Sequence, residues 1–177
     1  MQVLIVYESM YGNTHAIGAE IAAGLVPYAE AKVVSVGEAT RALVGEADLV
    51  IVGGPTHAHG MTSASSRKGA FDAAQKPDSG LALDPDAAGP GLRDWFKTLS
   101  RVKAGLAAAY DTRFDAPAVL TGRASRGIAS RLRDHGFHLV ADPESFLVDK
   151  RNELVAGEGE RARAWGVQLG TALSEPR

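Results

Sequence analysis

The chain of 177 residues contains no cysteine. That removes disulfide bonds, thiolate nucleophiles and cysteine-held zinc or iron–sulfur sites in one step. Long apolar runs are lacking too. No stretch approaches the roughly 20 residues that a membrane-spanning helix needs. The apolar start, VLIV at residues 3–6, is too short for a signal-peptide core and has no basic residue before it. A cytoplasmic protein without membrane insertion is the expectation. An excess of either charge is also missing: 19 Lys and Arg stand against 21 Asp and Glu, a formal net charge of -2. Nucleic acid is therefore not an expected partner. No internal repeat interrupts the chain, and its length suits one domain over 1–177.

What is present is an alternation. Residues 2–7, 31–36, 48–53, 104–110 and 137–148 read as strands, the first and third continuously apolar as in strands covered on both faces. The last is interrupted at Pro143. Helices are expected over 14–25, 38–46, 63–75, 91–100, 125–135 and 158–173, with Pro27 and Gly136 as stops. Residues 77–91, PDSGLALDPDAAGPG, read as a long loop. Five strand–helix units predict an α/β fold: a doubly wound parallel sheet in three layers. In such sheets ligands sit beyond the carboxyl ends of the strands, where strand order reverses.

Three polar turns follow strands one, three and four, and all would crowd onto that edge: YESMYGNTHA, GPTHAHGM and DTRFDAP. The first suits a phosphate. Tyr11 to Thr14 lie at a helix N-terminus, Ser9 and Thr14 add hydroxyls, and Gly12 allows close approach and positive φ. A Walker-type loop is excluded by the missing lysine, and the G-x-G-x-x-G fingerprint is absent. The plain alternative is that Asn13 or Thr14 merely caps the helix.

The order IVYESMYGNTHAIGAEI, residues 5–21, resembles the phosphate loop of the flavodoxin family, Ser/Thr-x-Thr-Gly-x-Thr after a strand. Ser9, Gly12, Asn13 and Thr14 match as they stand. Tyr11 replaces the usual Ser or Thr, as the quinone-reductase branch also allows, and Gly18 stands where Ala is usual. The resemblance implies five strands in the order 2-1-3-4-5 and FMN as cofactor. It implies that Ser9, Met10, Tyr11, Gly12, Asn13 and Thr14 hold the phosphate. Pro55, Thr56, His57, Ala58, His59 and Gly60 would grip one side of the isoalloxazine. Asp111, Thr112, Arg113 and Phe114 would meet its pyrimidine edge. Stacking would come from His57, Phe114, Met10 or Met61, since the second loop has no Trp or Tyr.

Three functions remain open under that resemblance. The main reading is an electron carrier serving a redox partner protein. Another is a reductase that uses NAD(P)H and a quinone or other small acceptor. The third is an interaction module without flavin. Carriers of the family are strongly acidic, so a net charge of -2 favours the enzyme, as do His57, His59 and Arg113 near the ring.

Other residues weigh less. His57 and His59 have no third metal ligand nearby. Trp95 and Trp165 sit at apolar helical spacing and read as core. Arg123, Arg126, Arg131 and Arg133 read as a solvated face, although Arg123 and Arg126 are expected near the flavin. Glu8 should point away from a phosphate or pair with a cation. A phosphorylated receiver domain would need an acidic cluster at strand one and a lysine after strand five; Lys150 exists, but the acidic pair does not. The helix near 63–75 should run away from the ligand edge, and loop 77–91 should return to cover it.

Overall fold

The computed structural model describes residues 1–174. Its elements in chain order are β1 (Gln2–Tyr7), α1 (Asn13–Leu25), β2 (Glu30–Ser35), α2 (Arg41–Glu46), β3 (Leu49–His57), β4 (Gly60–Met61), α3 (Ala64–Ala74), α4 (Leu92–Thr98), β5 (Gly105–Phe114), α5 (Ala118–Thr121), α6 (Ala124–Asp134), β6 (Phe137–Leu139), β7 (Glu144–Val148) and α7 (Glu158–Ser174). The main sheet is parallel and runs β2-β1-β3-β5-β6. β7 also pairs with β5 in parallel. β6 and β7 are thus the two halves of the expected fifth strand, broken around Pro143, and the order 2-1-3-4-5 holds.

Alternation within each strand divides the core. Leu4 and Val6 of β1 face a layer that holds Trp95 and Phe96 of α4 and Ile128 and Leu132 of α6. Val3 and Ile5 face the opposite layer, with Ile17 and Ile21 of α1 and Trp165 and Leu169 of α7. Both tryptophans are core residues. α1 and α7 cross closely: a Cβ added at Gly166 would stand 2.3 Å from the Ile21 carbonyl oxygen. Only glycine allows that backbone approach.

Three departures from expectation matter for the ligand edge. β3 runs on through Gly54–His57 and folds back onto Gly60–Met61. β5 likewise runs through Asp111–Phe114, where the sequence alone predicts a turn. Pro55, Thr56 and His57 of one extension and Thr112, Arg113 and Phe114 of the other border an open cleft instead of a packed layer. The helix α3 does not return along the sheet. Ala70 is its one buried residue, and it packs with Met10, Tyr11, Phe71 and Ala87. α4, not α3, fills the crossover from β3 to β5. α3 and loop 77–91 therefore form an inserted flap. The short α5 had no counterpart in the sequence reading.

Candidate functional site

A cleft of about 640 Å³ opens at the carboxyl ends of β1, β3 and β5, at the place where strand order reverses. Its floor is the segment after β1. Gly12 takes a left-handed conformation, φ 92°, and no side chain caps α1. The first helical bond there runs from Ala16 N–H to the Gly12 carbonyl at 2.9 Å. The amides of Asn13, Thr14 and His15 are thus left for a ligand. This excludes the reading in which Asn13 or Thr14 only caps the helix.

Neighbouring side chains set this loop. Ser9 Oγ accepts from Gly12 N–H at 3.0 Å, which leaves its own proton free. Thr14 Oγ1 and Thr112 Oγ1 are 2.8 Å apart and buried. The two hydroxyls share two protons, and one bond between them leaves one proton to donate elsewhere. Tyr110 donates to the Thr14 carbonyl at 3.0 Å from the core beneath. Its burial raises its pKa, so it stays a donor. Room for its ring explains two glycines. A Cβ at Gly53 would fall 2.0 Å from Tyr110 Cζ, and one at Gly18 would fall 2.8 Å from its hydroxyl. The family's usual Ala at the Gly18 position would crowd this tyrosine.

Glu8 turns away from the loop, as electrostatics requires. Its carboxylate accepts from Leu92 N–H at 2.8 Å and from Thr62 Oγ1, and Arg67 Nε lies 3.5 Å away.

The second wall is the β3–β4 hairpin. Ala58 and His59 both have positive φ, 45° and 72°, the pattern of a tight hairpin turn that Asn and Gly usually occupy. Two non-glycine residues there cost about 1–2 kcal/mol each. The turn is held from outside by a bridge between His59 and Gly122, and Thr56 Oγ1 accepts from Ala124 N–H at 2.8 Å. His57 is half-buried, and burial holds its pKa below the ordinary value of 6.5; Glu8 opposes the shift and Arg67 adds to it. His57 is therefore neutral near pH 7.

The third wall is the end of β5. Arg113 Nη1 donates to the Ala116 carbonyl at 2.7 Å and reaches Phe114 O and Thr121 Oγ1 at 3.3 Å. Its guanidinium ties the segment carrying α5 to the strand. Phe114 and Leu120 stand exposed at the rim, 55% and 65% accessible, enough apolar surface to meet a flat ring.

The cleft brings together Ser9, Met10, Tyr11, Asn13, Thr14, Pro55, Thr56, His57, Ala58, His59, Thr112, Arg113 and Phe114. Gly12 and Gly60 shape the turns without lining it. Asp111 is a correction. Its side chain is buried on the α6 side of the sheet, where Oδ2 accepts from Ser125 N–H at 2.7 Å. Strand alternation puts Thr112 at the cleft and turns Asp111 into the core. Burial raises the pKa of Asp111 despite that bond. Arg123 and Arg126, expected near the ligand, do not line the cleft.

Sequence reasoning missed three contributors, one of them Leu120 and Thr121 of α5. Ser66, Gly69, Ala70 and Ala73 of α3 face the cleft together with Leu81 of the flap. Their spacing of three, four and seven is one helix face, but small residues carry little pattern. Val148 at the end of β7, and Lys150 and Asn152 just beyond it, also line the cleft, too far along the chain for a local motif to show.

With this geometry in view, likeness to solved structures has a definite meaning. A flavodoxin from the domain Archaea superposes with a TM-score of 0.67 at 18% identity, over 99% of this chain and 100% of that one. A WrbA-like flavodoxin from Agrobacterium tumefaciens gives 0.61 at 20% identity, over 97% and 96%. The chain has the flavodoxin-like fold. The same fold covers 36% of rubredoxin oxygen:oxidoreductase from Desulfovibrio gigas, with a TM-score of 0.62, 20% identity and 97% of this chain. No protein-family model and no curated protein matches the sequence.

Proposed function

We propose that the chain binds FMN in this cleft and passes electrons through it. The observation that carries the reading is the end of α1. Free amides at Asn13–His15, a left-handed Gly12 and the Ser9 and Thr14 hydroxyls form an anion cradle at the floor of a cleft wide enough for a tricyclic ring. FMN, when bound, supplies the redox chemistry, and the polypeptide holds, orients and tunes it. Ser9, Thr14 and the α1 amides would bind the phosphate. His57, Phe114 and Leu120 would bound the ring, and Arg113 would bring positive charge to one edge. A reducing cytoplasm is the proposed setting. Among the described residues, no helix is long and apolar enough to cross a membrane.

The test is Thr14→Ala. It removes a hydrogen bond to a charged group, worth roughly 1.5–3 kcal/mol. FMN affinity should fall while riboflavin affinity holds. Equal losses for both ligands would reject the phosphate assignment.

A reductase fed by NAD(P)H is favoured over a protein-docking carrier by the charge of the cleft. Its ionisable lining residues other than Tyr11 are His57, His59, Arg113 and Lys150, with no carboxylate among the described residues. That lining suits an anionic donor or acceptor more than a basic partner protein. Anaerobic addition of NADPH should bleach the absorbance of bound flavin within seconds. An unchanged spectrum would favour the carrier and a redox partner protein.

A further inference from the structure

We propose that Lys150 is the counter-cation of the phosphate site. The proposal rests on the FMN reading and deepens it. The sequence motif has no lysine of its own, and the chain supplies one from far away.

Lys150 sits in a tight turn directly after β7. Val148 bridges Leu154 across it, Asp149 N–H donates to the Glu153 carbonyl at 2.8 Å, and Asn152 N–H donates to the Asp149 carbonyl at 3.0 Å. Asn152 has φ 62°. Asp149 Oδ1 also accepts from the backbone amides of Arg151 and Glu153 at 2.8 and 3.0 Å. The turn is thus internally fixed. It is also fastened to the phosphate loop, because Asn13 Nδ2 donates to the Asn152 carbonyl at 2.7 Å. The Asn13 side chain therefore positions the turn, and only its backbone amide is left for the ligand.

The charges of the turn sort themselves. Arg151 lies 3.5 Å from Asp149 and 3.4 Å from Glu153. Both local carboxylates are thereby engaged by Arg151, and no carboxylate lies within ion-pair distance of Lys150 among the described residues. Lys150 lines the same cleft as Ser9, Asn13 and Thr14, while Glu8, next to Ser9 in sequence, faces away, and Asp84, 3.4 Å from His15 Nδ1, does not line the cleft. A cation on a rigid turn, pinned to the amides that meet the anion, lowers the cost of holding a dianion at the α1 terminus.

The experiment is a fluorescence titration of the full chain with FMN and with riboflavin, at low and at high KCl. Lys150→Gln should weaken FMN binding about threefold to fivefold at low salt, the range of an exposed charge pair. Riboflavin affinity should not change, Lys150→Arg should restore FMN affinity, and high salt should erase the difference. Unaltered FMN affinity in Lys150→Gln at low salt overturns the proposal, and so does an equal loss for riboflavin. A wild-type chain that binds neither ligand overturns both this assignment and the FMN reading. Wild-type FMN binding with an indifferent Lys150→Gln overturns this assignment alone.

Discussion

Asp111 and Thr112 are adjacent on β5 and meet opposite sides of the sheet. Thr112 joins the Thr14 hydroxyl at the cleft. Asp111 enters the core, where Ser125 and Ser145 hydroxyls stand nearby without partners. A buried carboxylate with a raised pKa favours folding while protonated. That contribution is present below the ordinary value of 3.8 and is lost as pH rises through the raised folded value. Asn at this position keeps an acceptor for Ser125 N–H, gains a donor for the serines and has no charge to bury. Asp111→Asn should therefore be more stable than the wild type, with a margin that grows from pH 3 toward neutrality and then levels. FMN affinity should stay the same. Melting temperatures across pH test the first statement. A marked loss of FMN affinity would show that Asp111 reaches the ligand after all.

At the scale of elements, the flap is the feature that sets this chain apart from a bare strand–helix alternation. Its anchors fall on the end of β1, the segment after it and the start of α1. Tyr7 donates to Asp86 at 2.9 Å and stacks on His15 at 4.2 Å between centroids. Asp84 Oδ2 lies 3.4 Å from His15 Nδ1, and the Asp84 backbone amide donates to the Met10 carbonyl at 2.8 Å. Tyr11 donates to the Ala70 carbonyl at 2.8 Å. The Tyr11 hydroxyl thus holds α3. Arg67 fastens the root by donating to the Ala87 and Gly89 carbonyls beside Glu8. Loop 77–91 does return to the ligand edge, and Leu81 reaches the cleft. Leu81→Ser should raise iodide quenching of bound flavin without loosening the Asp84 and Asp86 anchors. Unchanged quenching would mean that the flap shields the loop and not the cofactor.

For the molecule as a whole, what could be read in advance was what burial on two faces imposes. VLIV and DLVIVG are apolar because both sheet faces are covered, AGLAAAY is a strand by its place in the alternation, and both tryptophans sit at core spacing on their helices; the strand order came from the flavodoxin resemblance and not from the pattern. The Ser9–Thr14 turn was legible because its residue types are dictated locally by φ and by hydrogen-bond donors. The rest depends on partners far along the chain. PTH and DTRF extend β3 and β5 by pairing Pro55 with Thr112, and neither stretch has a strand's apolar alternation. α3 binds loops through small residues. Lys150 reaches the cleft through Asn13 and Asn152, which are 139 positions apart. Each of these is a tertiary choice that overrides or lacks a local pattern.

All of this turns on one ligand and one end of it. Titrating the wild-type apoprotein with FMN and with riboflavin, each followed by flavin fluorescence at low salt, tests it most directly. Saturation at one FMN per chain is expected, with FMN bound at least about tenfold more tightly than riboflavin because the cradle engages only the phosphate. Equal affinity for the two, or no binding of either, would contradict the account.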